Sequence, residues 1–182
     1  MSPTRSPNGF ETRAALEGLR AAGRRLEGYA AVFNSPARIG GAFTESITPG
    51  AFRASLAVPG RDVLALCDHN PEKLLARTRS GTLRVGEDSR GLAFSLDVPD
   101  TTLGRDVLTM VERGDISACS FGFRVPPGGD AWPARDRREL RAVELLELSL
   151  VVSPAYDSTT VAARARQLGA VGWRGRLAGV LL

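Results

Sequence analysis

The chain has 182 residues, 43% hydrophobic and 24% charged, which is the composition of one ordinary globular domain able to bury a core. Its net charge of +4 rests on arginine, with Lys73 the only lysine, and it has no basic run and only 6% aromatics, which argues against a specific nucleic-acid surface. Cys67 and Cys119 form no disulfide framework or metal-ligand spacing, the first residues hold no secretory signal, and no apolar run nears the roughly 18 residues of a membrane span. The chain therefore reads as soluble and intracellular, working without metal or cofactor.

In chain order, residues 1–24 carry Ser, Pro, Asn and Arg around a short Ala-Leu segment, so a flexible lead-in with at most a turn or two of helix is expected. The working domain is expected over 25–168, and a glycine-broken tail over 169–182. Arg25 to Phe33 predicts the first strand, closed by Asn34, Ser35 and Pro36. Phe43 to Thr48 predicts a second, and Pro49-Gly50-Ala51-Phe52 opens a short helix through Leu56. Arg61 to His69 is a strand apolar on both faces, ended by His69-Asn70-Pro71. Leu74 to Arg77, Gly81 to Val85 and Gly91 to Val98 follow as a meander.

Thr101 to Arg113 is the best helix: Thr101 or Thr102 can cap it, Leu103, Val107, Met110 and Val111 have helical spacing, and Gly114 stops it. Ile116 to Val125 is again a strand, Pro126 to Asp136 a Pro/Gly-rich loop, and Glu139 to Val152 a long strand ended by Ser153-Pro154. Thr159 to Leu168 predicts a closing helix. About seven strands without β-α-β alternation predict an α+β, mainly β fold, an antiparallel barrel with helices outside it.

Three positions could carry chemistry. In Gly114 to Phe123, strand alternation puts Ser120 and Gly122 on one face and Cys119 and Phe121 on the other. A glycine beside a serine would let a substrate backbone approach closely, although a plain buried strand has the same pattern. His69, the only histidine, sits at a strand end and titrates in the range a general base needs. Glu147 shares a face with Ser149 in a strand otherwise of Leu and Val, where a carboxylate is costly unless paired. It either faces solvent, meets an arginine, or orients an imidazole as a triad acid does. Glu144, of opposite parity, suits solvent. Cys119 as nucleophile would point away from Ser120's face, and Cys67, Asp68, His69 and Cys119 lack zinc spacing, so both cysteines read as small buried hydrophobes.

Four segments in order carry a family resemblance: Ile47-Thr48-Pro49-Gly50-Ala51-Phe52, Leu66-Cys67-Asp68-His69-Asn70, Ile116-Ser117-Ala118-Cys119-Ser120-Phe121-Gly122-Phe123, and Glu147-Leu148-Ser149-Leu150-Val151-Val152-Ser153-Pro154-Ala155-Tyr156. Together, over Leu26 to Val161, the chain resembles the tailed-phage prohead proteases, relatives of the herpesvirus assemblins. The resemblance implies a serine endopeptidase acting inside an assembling procapsid in the host cytoplasm, on an antiparallel barrel wrapped by helices. Such enzymes remove scaffold, or the scaffolding segment of the major capsid protein, and then often digest themselves.

The motifs make His69 the general base and Ser120 the nucleophile, with Glu147 at the family's acidic position. The herpesvirus branch uses a second histidine there, which this chain lacks. No fused scaffold domain is evident, so a separate scaffold or an arm of the capsid protein is the expected substrate, and a homodimer is among the expected assemblies. The particle could be a phage, a prophage remnant or a gene transfer particle. Two other readings stay open: a non-catalytic assembly or scaffold protein on the same fold, and a hydrolase using Cys119.

Overall fold

Apolar side chains alternate with small or polar ones through most of the chain, and that period builds strands. The computed structural model describes residues 9–15 and 17–152. Among them are strands β1 (Phe10–Ala15), β2 (Glu17–Ala22), β3 (Arg25–Val32), β4 (Ala37–Ile39), β5 (Phe43–Ile47), β6 (Leu64–Cys67) and β7 (Asn70–Arg77). Then come β8 (Leu83–Glu87), β9 (Gly91–Asp97), β10 (Ala118–Arg124), β11 (Asp130–Ala134), β12 (Arg137–Leu140) and β13 (Glu144–Val151). The helices are α1 (Arg53–Leu56) and α2 (Thr102–Arg113). As the sequence predicts, the Thr101 hydroxyl caps α2 by accepting from the Gly104 N–H at 3.1 Å, and Gly114 ends it at φ 81°.

The fold is mainly β, but the described strands form three open sheets and not a closed barrel. Their orders are β1-β10-β13-β6-β7, β2-β3-β9-β8 and β11-β12-β5-β4. Two pairings, β13 with β6 and β12 with β5, are parallel, against the antiparallel expectation. The first two sheets pack through β10 on β3 and β7 on β9, enclosing a core that includes Leu26, Phe94, Phe121, Phe123 and Leu148. Phe121 meets Phe52 edge-on at 5.4 Å and stacks on Phe123 at 5.0 Å. Burying one such ring contributes about 1.5–3 kcal/mol.

Residues 10–22 are not a lead-in. They form β1, which pairs with β10, and β2, which pairs with β3. Their Ala, Leu, Glu and Arg favour helix locally, and sheet pairing overrides that weak preference. The loop expected over 126–136 contains β11. The long strand expected over 139–152 is broken, because the Arg141 and Ala142 N–H groups both donate to the Gly129 carbonyl, at 2.8 and 2.9 Å. That turn sends β12 and β13 into different sheets. The expected closing helix over 159–168 and the tail over 169–182 lie outside the described residues.

A buried charge cluster fastens β1 to the third sheet. Arg138 and Glu45 are each 3% exposed. Arg138 donates to Glu11 at 2.7 Å, Asp130 at 2.8 Å and Glu45 at 3.0 Å, while Arg13 donates to Glu11 at 2.7 Å and Glu45 at 2.9 Å. Burial alone would raise the pKa of the Glu11 carboxyl, but the Arg138 and Arg13 guanidiniums outweigh it and hold the group below the usual glutamate range. Burial likewise opposes the charge of Arg138, and pairing with Glu11 wins, raising its pKa.

Removing one partner from such a cluster leaves buried charge uncompensated. Glu45→Gln should therefore lower stability by about 3–5 kcal/mol, read as a shifted urea midpoint. Because the pKa of Glu11 is depressed, its contribution is fully present above the ordinary glutamate value of about 4.3 and is lost as pH falls through the folded value. An unshifted midpoint in Glu45→Gln would show that the cluster contributes little.

Candidate active site

His69 sits on a two-residue hairpin loop. Cys67 pairs with Asn70, and the two residues between them, Asp68 and His69, have φ of 52° and 56°. Two central residues at positive φ are the mark of a type I′ turn, whose twist suits a hairpin. Asn-Gly usually fills it, but Asp and His are among the side chains that tolerate this region. Asn70-Pro71 consequently starts β7 where the sequence suggested a stop, and proline is tolerated because β7 is an edge strand.

The loop is docked on β13. The Asp68 N–H donates to the Leu150 carbonyl at 3.0 Å, and the His69 N–H donates to Ser149 Oγ at 2.7 Å. β13 in turn pairs with β10, setting Ser149 opposite Ser120 and Glu147 opposite Gly122. These four residues share one face. Cys119, Phe121, Leu148 and Leu150 share the other and belong to the core. A register shift between Gly122 and Phe123 leaves Leu146 as the extra residue of a bulge, so Phe123 and Leu145 are both fully buried.

Glu147 is 8% exposed, and its carboxylate contacts His69 Nδ1 through Oε1. The buried carboxylate thus has an imidazole for a partner rather than an arginine. Glu144 points elsewhere and pairs with Arg61 at 2.9 Å near the surface. The room at Gly122 is not left for a substrate. A Cβ there would come within 2.6 Å of the Phe10 ring and 2.7 Å of Glu147 Cγ, so the missing side chain lets this protein's own residues lie over β10.

Ser120 is 2% exposed and its hydroxyl donates to the Arg13 carbonyl of β1 at 2.9 Å. A hydroxyl has one proton, so in this arrangement Ser120 cannot donate to an imidazole as well. Its cross-strand partner on β13 is Ser149, which links it to the His69 loop. His69 and Glu147 are in direct contact, and Ser120 lies beside them in the sheet without bonding to either in this arrangement.

The cysteines occupy the opposite face. Cys119 and Cys67 each pair with Leu150, from its two sides, which puts them two strand spacings, roughly 10 Å, apart and beyond disulfide reach. Burial pushes the Cys119 thiol up to about 12, and burial also raises Cys67. Among the described residues, no group of three or more His, Cys, Asp or Glu side chains is placed to hold a metal ion.

Ser149, Arg13 and Phe10 are site neighbours to which sequence reasoning gave no role. Ser149 had a signal, its shared parity with Glu147. Arg13 and Phe10 had none, because residues 1–24 read as a lead-in.

A buried serine on the same sheet face as an imidazole–carboxylate pair presents the residue types of serine hydrolase chemistry on a mainly β scaffold. The family model of the caudovirus prohead serine protease matches residues 10–172, and the chain belongs to that family. The match begins at β1, the strand that contacts Ser120. No curated protein and no solved structure matches the chain. No helix among the described residues is long and apolar enough to cross a membrane.

A thiol with a pKa of about 12 stays protonated, and so unreactive, through the neutral range. Iodoacetamide at pH 8 should leave Cys119 unmodified in the folded chain and alkylate it in urea, as mass mapping would read. Rapid alkylation of folded Cys119 would revive it as a nucleophile.

Proposed function

We propose that the protein is a serine endopeptidase of procapsid maturation, with Ser120 as nucleophile, His69 as general base and Glu147 as the group that orients the imidazole. The observation that carries this reading is the contact between Glu147 and Nδ1 of the chain's only histidine, on the sheet face that also bears Ser120. A carboxylate on Nδ1 fixes the tautomer that leaves Nε2 free to accept a proton. This reading requires the Ser120 hydroxyl to give up the Arg13 carbonyl for that nitrogen, its χ1 moving between staggered wells.

Oγ then attacks the scissile carbonyl as its proton passes to Nε2, forming the tetrahedral intermediate. The imidazolium, stabilised by Glu147, returns the proton to the departing amine and leaves an ester on Ser120. Water, deprotonated by the same imidazole, attacks the ester and releases the second product. Family membership supports a capsid-related substrate. The reading assigns this to a separate scaffold or the scaffolding arm of the major capsid protein, then the protease itself, within the procapsid in the host cytoplasm. The assemblin-like character of the fold and a homodimer belong to the same proposal, as does a phage, prophage or gene transfer particle as the setting.

One observation favours a second reading. Ser120 is buried and its proton is engaged by β1, as suits a non-catalytic assembly protein whose serine has become structural. A fluorophosphonate separates the two. In the first reading it should label Ser120 alone, with Ser120→Ala and His69→Gln losing label and processing of a co-expressed capsid protein, and Ser117→Ala keeping both. A folded wild-type chain that takes no label supports the second reading.

Glu147→Gln tests the acid. The amide keeps the size but cannot stabilise the imidazolium, so turnover should drop roughly 10³- to 10⁴-fold with little change in thermal unfolding. Undiminished turnover in that variant would remove Glu147 from the mechanism.

A further inference from the structure

We propose that Ser149 is a positioning residue that fixes the main chain of His69, so that β13 holds the histidine at both its ring and its backbone; this rests on reading His69 as the base. The side chain of Ser149 is 1% exposed and lies on the same face as Glu147, two residues along the strand. Glu147 takes ring Nδ1, and Ser149 Oγ takes the His69 N–H at 2.7 Å.

The backbone bond is needed because of the loop. In a two-residue hairpin turn the central N–H groups lie outside the ladder, which closes at Cys67 and Asn70. The Asp68 N–H finds the Leu150 carbonyl, since parallel pairing of β6 with β13 brings main chain to main chain there. One residue further, the acceptor for the His69 N–H is a side chain, the Ser149 hydroxyl. His69 also stands at φ 56°, a region that persists only where its surroundings over-determine it.

Without Oγ the part-buried N–H loses its partner and the loop is free to leave the left-handed basin, carrying the ring with it. Glu147 alone holds one ring atom and leaves the ring free to pivot about that contact. With two anchors, Nε2 faces one direction. Ser149 is also the cross-strand partner of Ser120, so the residue that fixes the base is set in register with the nucleophile. A displacement of about 1 Å between reacting groups costs on the order of 10²-fold in rate, which is the leverage such an anchor has.

The chain's single histidine makes the test clean, since its imidazole Cε1–H proton resonance reports His69 and nothing else. Full-length wild type, Ser149→Ala and Ser149→Thr are compared for fluorophosphonate acylation of Ser120, for that resonance, and for thermal unfolding. Ser149→Ala should acylate about 10–100-fold more slowly, with the loss in the bond-forming rate constant and not in probe affinity. Its histidine resonance should broaden or split, reporting more than one ring orientation. Ser149→Thr, which keeps the hydroxyl, should recover most of the rate and the single line.

Wild-type acylation kinetics and a single sharp resonance in Ser149→Ala would overturn the proposal, leaving Ser149 as a space filler. If that variant does not fold, amide exchange in the wild type decides. A His69 amide protected like its ladder neighbours supports the anchor, and one that exchanges as an open loop amide refutes it. Absence of wild-type acylation sinks the catalytic reading instead, while the resonance and the amide still report whether Ser149 holds His69.

Discussion

The antiparallel pairing of β10 with β13 is the constraint on which both the core and the candidate site depend. Because side chains alternate, one register decides at once that Phe121, Leu148 and Leu150 enter the core and that Ser120, Glu147 and Ser149 share the other face. A slip of β13 by one residue would turn Glu147 and Ser149 in among phenylalanines and expel Leu148 and Leu150. The bulge at Leu146 corrects the parity where the strand leaves the site, so Leu145 and Phe123 return to the interior. Glycine at 122 completes the arrangement, since Glu147 Cγ lies only 2.7 Å from where a Cβ would stand.

His69 is carried differently. It belongs to a tight loop with two left-handed residues, each costing of order 1–3 kcal/mol, and such strain survives only under outside restraint. The restraint comes almost wholly from one strand: the Leu150 carbonyl, the Ser149 hydroxyl and the Glu147 carboxylate are all contributed by β13. β1 closes the other flank by accepting a hydrogen bond from the Ser120 hydroxyl, and it is held in turn by the buried cluster of Glu11, Arg13, Glu45 and Arg138. Arg13 thus meets Ser120 through its carbonyl and the buried charges through its guanidinium.

Much of this was legible in the sequence. Alternation located β3, β5, β9 and β10 within a residue or two, and capping residues located α2. The shared face of Ser120 and Gly122, the parity of Glu147 and Ser149, and the isolation of His69 followed from the strand period alone. What escaped had no local signal. Residues 10–22 are rich in helix formers; 10–15 become β1 through a partner more than a hundred residues away, as Arg13 and Ser120 are, 107 apart, and 17–22 become β2 by pairing with the adjacent β3. The break at Arg141 depends on a carbonyl at Gly129, and the parallel pairing of β6 with β13 follows from how distant segments meet. Gly122 was recognised as a place needing room, but its occupants, Phe10 and Glu147, could be known only from the fold.

The separation in sequence of these partners has a consequence for when the site exists. His69 and Glu147 are 78 residues apart, and β13 is the last of the described strands. A nascent chain that has reached α2 holds the histidine loop without its carboxylate, its hydroxyl anchor or the serine strand. The closure of β13 onto β6 must be made before the imidazole is oriented, and topologies rich in long-range closures fold slowly. The imidazole–carboxylate contact is thus among the last features of the described chain to be completed as it emerges, a timing written into strand order.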